Sequence, residues 1–182
     1  MGILILDGCS QETALHPVLK SLPEAELVKL EETEIAWCRG CFHCWILTPG
    51  QCIIGDTGNE IARKFMNSKL AILLTPVTFG GYSANLKRIL DRLIPNFSGL
   101  CTQHQGETHH VKRYSNYPVL AVLGIQSSPD SEAAAIFSQL AHRNSLNFYP
   151  DGYVSHVFLE SLDQGTIQAE LAQTLAAVGV KI

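Results

Sequence analysis

Nowhere in its 182 residues does the chain carry an apolar run near the ~20 residues that a helix needs to cross a bilayer. Basic residues form no run longer than Lys112-Arg113, and 13 basic against 17 acidic residues leave a formal charge of -4. A nucleic-acid partner, which needs a basic face, is therefore not expected, and neither is a membrane partner. Low-complexity tracts, internal repeats and a linker are also missing, so residues 1–182 read as one domain. The opening MGILILDG is too short, and too acidic at its end, for a signal peptide, which makes the cytoplasm the expected location. Cysteine is scarce outside one place: four of the six lie within residues 38–52. Cytosolic reductants keep thiols open, so disulfides are not expected among them.

What is present is an alternation of short apolar runs with helix-period stretches. Gly2 to Asp7, Glu26 to Leu30, Leu70 to Thr75, Pro118 to Ile125 and Val154 to Leu159 read as strands buried on both faces of a parallel sheet. Leu86, Ile89, Leu90 and Leu93 follow the i, i+3, i+4, i+7 rule, and Pro95 ends that helix. Ile61 and Phe65, then Ile136, Phe137 and Leu140, then Ile167, Leu171, Leu175 and Val178 line three more. Pro17 makes the first helix short or places its start nearby. This predicts a doubly wound, three-layer α/β/α fold on a five-stranded parallel sheet of flavodoxin-like order 2-1-3-4-5, with ligands at the carboxyl ends of the strands.

Two stretches at that end carry chemistry. The third strand runs into TPVTFGGYS, residues 75–83, where Gly80-Gly81 permits close backbone approach, Phe79 and Tyr82 offer ring faces, and Ser83 is placed to cap the next helix. An ordinary glycine turn between strand and helix accounts for the same spacing. After the second strand comes CRGCFHCWILTPGQC, a C-x2-C-x2-C-x7-C pattern of Cys38, Cys41, Cys44 and Cys52. Compact thiol spacing suits an iron-sulfur cluster or zinc, with His43 as a substitute ligand. Buried thiols packed among Phe42, Trp45, Ile46 and Leu47, and a redox disulfide, are the alternatives. Cys9 and Cys101 stand alone and read as structural. The connection 96–116 carries His104, Glu107, His109 and His110; it reads as a lid that moves protons, or as a solvated or subunit-contact loop. His142 and Arg143 are placed at the end of the fourth helix, suiting its dipole.

Taken together, CRGCFHCW, TPGQC, TPVTFGGYS and LKRILDRLIP resemble the flavodoxin-fold NAD(P)H-dependent FMN reductases, in the branch similar to iron-sulfur flavoproteins. The resemblance is strongest from Ile35 to Ile94 and looser through residues 106–114 and 143–147. It implies an FMN-dependent oxidoreductase taking hydride from NAD(P)H, passing electrons to a small molecule or protein, and working as a homodimer or dimer of dimers. It implies Pro76, Val77, Thr78, Phe79, Gly80, Gly81 and Tyr82 beside the flavin ring, with Gly124 and Gln126 on its other side. It also implies a [4Fe-4S] cluster on Cys38, Cys41, Cys44 and Cys52. The first loop departs from the family pattern. In place of a glycine, serine and basic-residue loop stands DGCSQETALHP, where Ser10, Gln11 and Thr13 are the donors left for an FMN phosphate. An electron carrier between proteins and a flavin-free metal or redox module are the alternative functions.

Overall fold

The computed structural model describes residues 2–181. In chain order it contains β1 (Ile3–Asp7), α1 (His16–Lys20), β2 (Ala25–Lys29), α2 (His43–Ile46), α3 (Thr57–Asn67), β3 (Leu70–Pro76), α4 (Ala84–Arg92), β4 (Phe97–His104), β5 (Glu107–Lys112), β6 (Val119–Gln126), α5 (Ser131–Phe148), β7 (Tyr153–Leu159) and α6 (Gln164–Ala176). β1, β2, β3, β6 and β7 form a parallel sheet, and β4 and β5 pair separately as an antiparallel ribbon.

The period-2 pleat of the strands sorts their side chains onto two faces. Leu4 and Leu6 of β1, Ala71 and Leu73 of β3, and Leu120 and Val122 of β6 pack with α3, α4 and α5. The intervening Ile5, Ile72 and Ala121 pack on the other face with α1 and α6. Burying a leucine or isoleucine fully contributes about 1.5–3 kcal/mol, which is why runs such as LAILL have no alternative to a covered sheet.

Four expectations need correction. The strand order by chain position is 2-1-3-6-7, not 2-1-3-4-5, because the connection 96–116 holds two strands of its own. Ile136 and Leu140 of α5 are exposed; the buried residues are Phe137, Ala141, Ser145, Leu146 and Phe148, and the helix runs past His142 and Arg143 to Phe148. Val178 lies beyond the end of α6. Pro17 sits in the first turn of α1, where its missing N–H costs no hydrogen bond. No helix among the described residues is long and apolar enough to cross a membrane.

Candidate functional site

The carboxyl ends of β1, β3 and β6 open onto one cavity of about 500 Å³. Its apolar part is Pro76, Val77, Phe79 and Ile125, and its polar rim includes Ser10, Gln11, Thr13, Gln126, Ser127 and Ser128. Glu12, Asp130 and Glu160 bring three carboxylates to the same cavity. Thr75 is fully buried and its Oγ1 accepts from the Ser83 N–H at 2.9 Å. The Ser83 hydroxyl donates to the Gly8 carbonyl at 2.8 Å and accepts from the Leu86 N–H at 3.2 Å, so one side chain caps α4 and ties it to the end of β1. A Cβ at Gly8 would meet Ser83 Oγ at 2.6 Å; this is why the two elements approach so closely there.

Residues 78–81 form a tight turn, closed by Thr78 N–H to Gly81 O at 3.0 Å and Gly81 N–H to Thr78 O at 2.8 Å. Phe79 and Gly80 both have positive φ, 49° and 75°, as a type I′ turn requires. Phe79 thereby pays for a left-handed backbone and still leaves its ring fully exposed at the cavity edge.

Of the residues assigned to the flavin, Ser10, Gln11, Thr13, Pro76, Val77, Phe79 and Gln126 line this cavity. Thr78, Gly80, Gly81, Tyr82 and Gly124 do not. Thr78 and Gly81 are the bridge pair of the turn. Tyr82 packs edge-on against Phe137 and accepts from the Asn144 side-chain amide at 3.2 Å, and burial pushes its phenol up to about 12. Gly124 is needed for packing, since a Cβ there would lie 2.8 Å from Val77 and 2.9 Å from Phe137.

The first loop is held by the protein itself. Buried Asp7 accepts from the Cys9 N–H at 2.9 Å, and its other oxygen accepts from His16 Nε2 at 2.8 Å. The Thr13 N–H donates to His16 Nδ1 at 2.8 Å, which fixes the imidazole proton on Nε2. The Ala14 N–H donates to Glu160 Oε1 at 2.9 Å, and Gln164 Nε2 donates to the Ala14 carbonyl at 2.9 Å. Folding also brings two cations that sequence spacing did not reveal: Lys20 and Lys29 lie 2.7 and 3.2 Å from Glu12. Burial first, and the Asp7 charge second, push the Cys9 thiol far up, so it is a packing group and not a thiolate.

The cysteine loop follows β2. Cys38, Cys41, Cys44 and Cys52 line a single small cavity of about 80 Å³ with Ile53, Ile54, Ile94, Pro95 and Arg92. No residue lines both this cavity and the one at the strand ends. All six cysteines are free; Cys38 and Cys41 are exposed and Cys44 is buried. Burial, then its three neighbouring thiols, raises the pKa of Cys44. Among the described residues no group of three His, Cys, Asp or Glu is gathered so as to hold a metal ion. As placed, the thiols do not form a single-ion site such as zinc, and His43 lies outside the cavity lining. Beneath the loop, Arg92, 1 % exposed, donates to both oxygens of Asp56 at 2.7 Å and to the carbonyl of Ala36 at 2.8 Å. Asp56 also caps α3 through the Gly58 N–H and accepts from the Ala36 N–H. Burial alone pushes the Asp56 carboxyl up, but the hydrogen bonds from Arg92, Ala36 and Gly58 outweigh it and hold it below its usual range.

The connection 96–116 contributes no residue to the lining of the strand-end cavity in this chain. Its histidines have partners within the protein: buried His109 lies between Asn147 and Glu107, His104 packs at a tilt on Tyr149, and His110 packs on Trp45. Arg143 pairs with Glu107, fastening α5 to the ribbon. Cys101 is exposed on β4, so packing is not its role.

The profile of the NADPH-dependent FMN reductase family matches residues 7–155. An iron-sulfur flavoprotein of Methanocaldococcus jannaschii is 38% identical over 82 residues, 45% of this chain and 42% of that protein. One from Archaeoglobus fulgidus is 32% identical over 84 residues, 46% and 37% of the two chains. These alignments span well under half of each relative. Among solved structures, an NAD(P)H:quinone oxidoreductase from Methanothermobacter marburgensis superposes with a TM-score of 0.65 at 12% identity, covering 97% of this chain and 96% of its own. An NADH:FMN oxidoreductase superposes at 0.58 and 16% identity, covering 98% and 86%. At such identities the structures report the fold alone, while the profile match spans most of the chain: it belongs to the NADPH-dependent FMN reductase family.

Proposed function

We propose that the protein is a flavin-dependent NAD(P)H oxidoreductase, with FMN the flavin its family implies and a small molecule or a protein as electron acceptor. The observation that carries this reading is the strand-end cavity, whose apolar wall of Pro76, Val77, Phe79 and Ile125 suits a planar ring. The chemistry supplied by a flavin in that place is hydride acceptance from a reduced nicotinamide and delivery of electrons onward. Pro76, Val77 and Ile125 would exclude water from a bound ring, and Phe79 would offer it an aromatic face. Ser127 and Ser128 lie on the rim for its polar edge. The first loop fits less well, because its Cys9, Thr13 and Ala14 N–H groups are already bonded within the protein. Exposed Phe79, Ile136 and Leu140 beside the cavity favour a homodimer as the working unit. Six free cysteines suit a reducing, cytoplasmic setting. Purified protein mixed with NADH or NADPH, FMN and either a quinone or ferricyanide is expected to oxidise the nicotinamide. No oxidation with any combination would overturn the reading.

A second reading is favoured by one observation: Cys38, Cys41, Cys44 and Cys52 line one cavity with a buried arginine beside it. We propose these thiols as the ligands of a four-iron cluster, and the protein then as an iron-sulfur flavoprotein that relays electrons between proteins. Thiolates on a cluster bind separate irons, so they spread wider than ligands of one ion. The exposed Cys38 and Cys41 must close on the cavity for this to hold. Iron and acid-labile sulfide assayed on protein purified without oxygen decide it.

A further inference from the structure

We infer that the strand-end cavity discriminates against the 5′-phosphate and takes riboflavin at least as tightly as FMN. The inference rests on the flavin reading above and concerns the part of the site that would meet the phosphate.

A loop that holds a phosphate offers unbonded backbone N–H groups and positive charge. Here three of the loop's N–H groups and both nearby cations are already engaged, which leaves only the N–H groups of Ser10, Gln11 and Glu12, beside the Glu12 carboxylate itself. The Cys9 N–H is bonded to Asp7, the Thr13 N–H to His16, and the Ala14 N–H to Glu160. Asp7 and His16 are 2 % and 1 % exposed and bonded to each other, so the pair cannot swing away without leaving a buried carboxylate unpaired. Glu160 and Gln164 grip the two sides of the Ala14 peptide from the end of β7 and the start of α6. The cations within reach, Lys20 and Lys29, are both on Glu12. α1, at 5 residues, is too short to supply a helix dipole of consequence. A phosphate dianion entering this loop meets the carboxylates of Glu12 and Glu160, which line the same cavity. The ring wall of Pro76, Val77, Phe79 and Ile125 is unaffected by any of this. The ring of a flavin is welcomed and its phosphate is not.

The test titrates the purified full chain separately with riboflavin and with FMN, following quenching of flavin fluorescence at low ionic strength. The expected result is a dissociation constant for riboflavin equal to or below that for FMN. In Glu12→Gln/Glu160→Gln, where the amide oxygen at 160 keeps the Ala14 contact and two negative charges are removed, the preference is expected to move toward FMN by about tenfold. FMN bound more than about threefold tighter than riboflavin by the unaltered chain would overturn the inference and leave the flavin reading standing. An unmoved preference in the double variant would equally overturn it, since the carboxylates would then not be the discriminating groups. Failure of both flavins to bind would overturn the inference and the flavin reading together.

Discussion

Asp56→Ala should be among the most damaging single changes in the protein, although Asp56 touches neither cavity wall as a ligand. Its carboxylate receives both 2.7 Å bonds from the buried Arg92 guanidinium, the Ala36 N–H at 2.8 Å and the Gly58 N–H at 3.0 Å. Alanine strips these at once, leaving Arg92 only the Ala36 carbonyl at 2.8 Å and a weak 3.4 Å contact to Ile54 O. Breaking a buried pair by removing one partner costs about 3–5 kcal/mol, because the remaining charge stays desolvated. Against a total stability of about 5–15 kcal/mol, that is a large share. With a urea m-value of about 2 kcal/mol/M, the midpoint should fall by about 2 M. Asp56→Asn keeps the cap oxygen and loses the charge, so about 2 kcal/mol is expected. The pH dependence has a definite sign. The folded pKa of Asp56 is depressed, so its contribution is complete above the unfolded value of about 3.9 and disappears as pH falls through the folded one. The gap between wild type and Asp56→Ala should therefore be full at pH 7 and shrink in that acid window. Urea unfolding followed by circular dichroism at both pH values measures it. A loss below about 1 kcal/mol at pH 7 would refute the claim that this pair fastens the cysteine loop to α3 and α4.

Gly124→Ala should destabilise by about 1–3 kcal/mol, because the new Cβ meets Val77 and the rigid Phe137 ring below 3.0 Å; thermal unfolding reads this directly. Phe79→Ala should leave unfolding unchanged within about 0.5 kcal/mol, since the ring is fully exposed, yet weaken flavin binding or dimer formation in fluorescence titration and analytical ultracentrifugation. Gly80→Ala should cost about 1 kcal/mol or more, as φ is +75° and the Cβ would strike Ile136 at 2.6 Å. Anaerobic protein should carry about four irons and matching sulfide per chain if the thiols close on a cluster, and Cys44→Ser should abolish that content while sparing flavin bands.

Much of the architecture was legible in the sequence, because burial on both faces leaves continuous apolar runs and each of the five sheet strands begins and ends within one residue of its run. The Ser83 cap and the short helix at Pro17 were legible too, since each follows from one residue's own hydrogen-bonding chemistry. The ribbon at residues 97–112 was not, because its strands mix polar and apolar residues on an exposed surface and lack the burial pattern that marks the others. Nor was the exposed face of α5, where Ile136 and Leu140 imitate a core stripe while Phe137 and Ala141 are the residues that pack. The chemistry divides in the same way. The family resemblance carried Ser10, Gln11, Thr13, Pro76, Val77, Phe79 and Gln126 to the flavin, and these seven line the cavity at the strand ends. Only the tertiary structure decided what those loops are bonded to. Glu160 lies 146 positions from Ala14 along the chain, and Arg92 lies 36 from Asp56; neither contact has a local signature. Hydrogen bonds between residues so far apart exist only once the sheet has set their distance, and they are what closes the first loop and holds the cysteine loop in place.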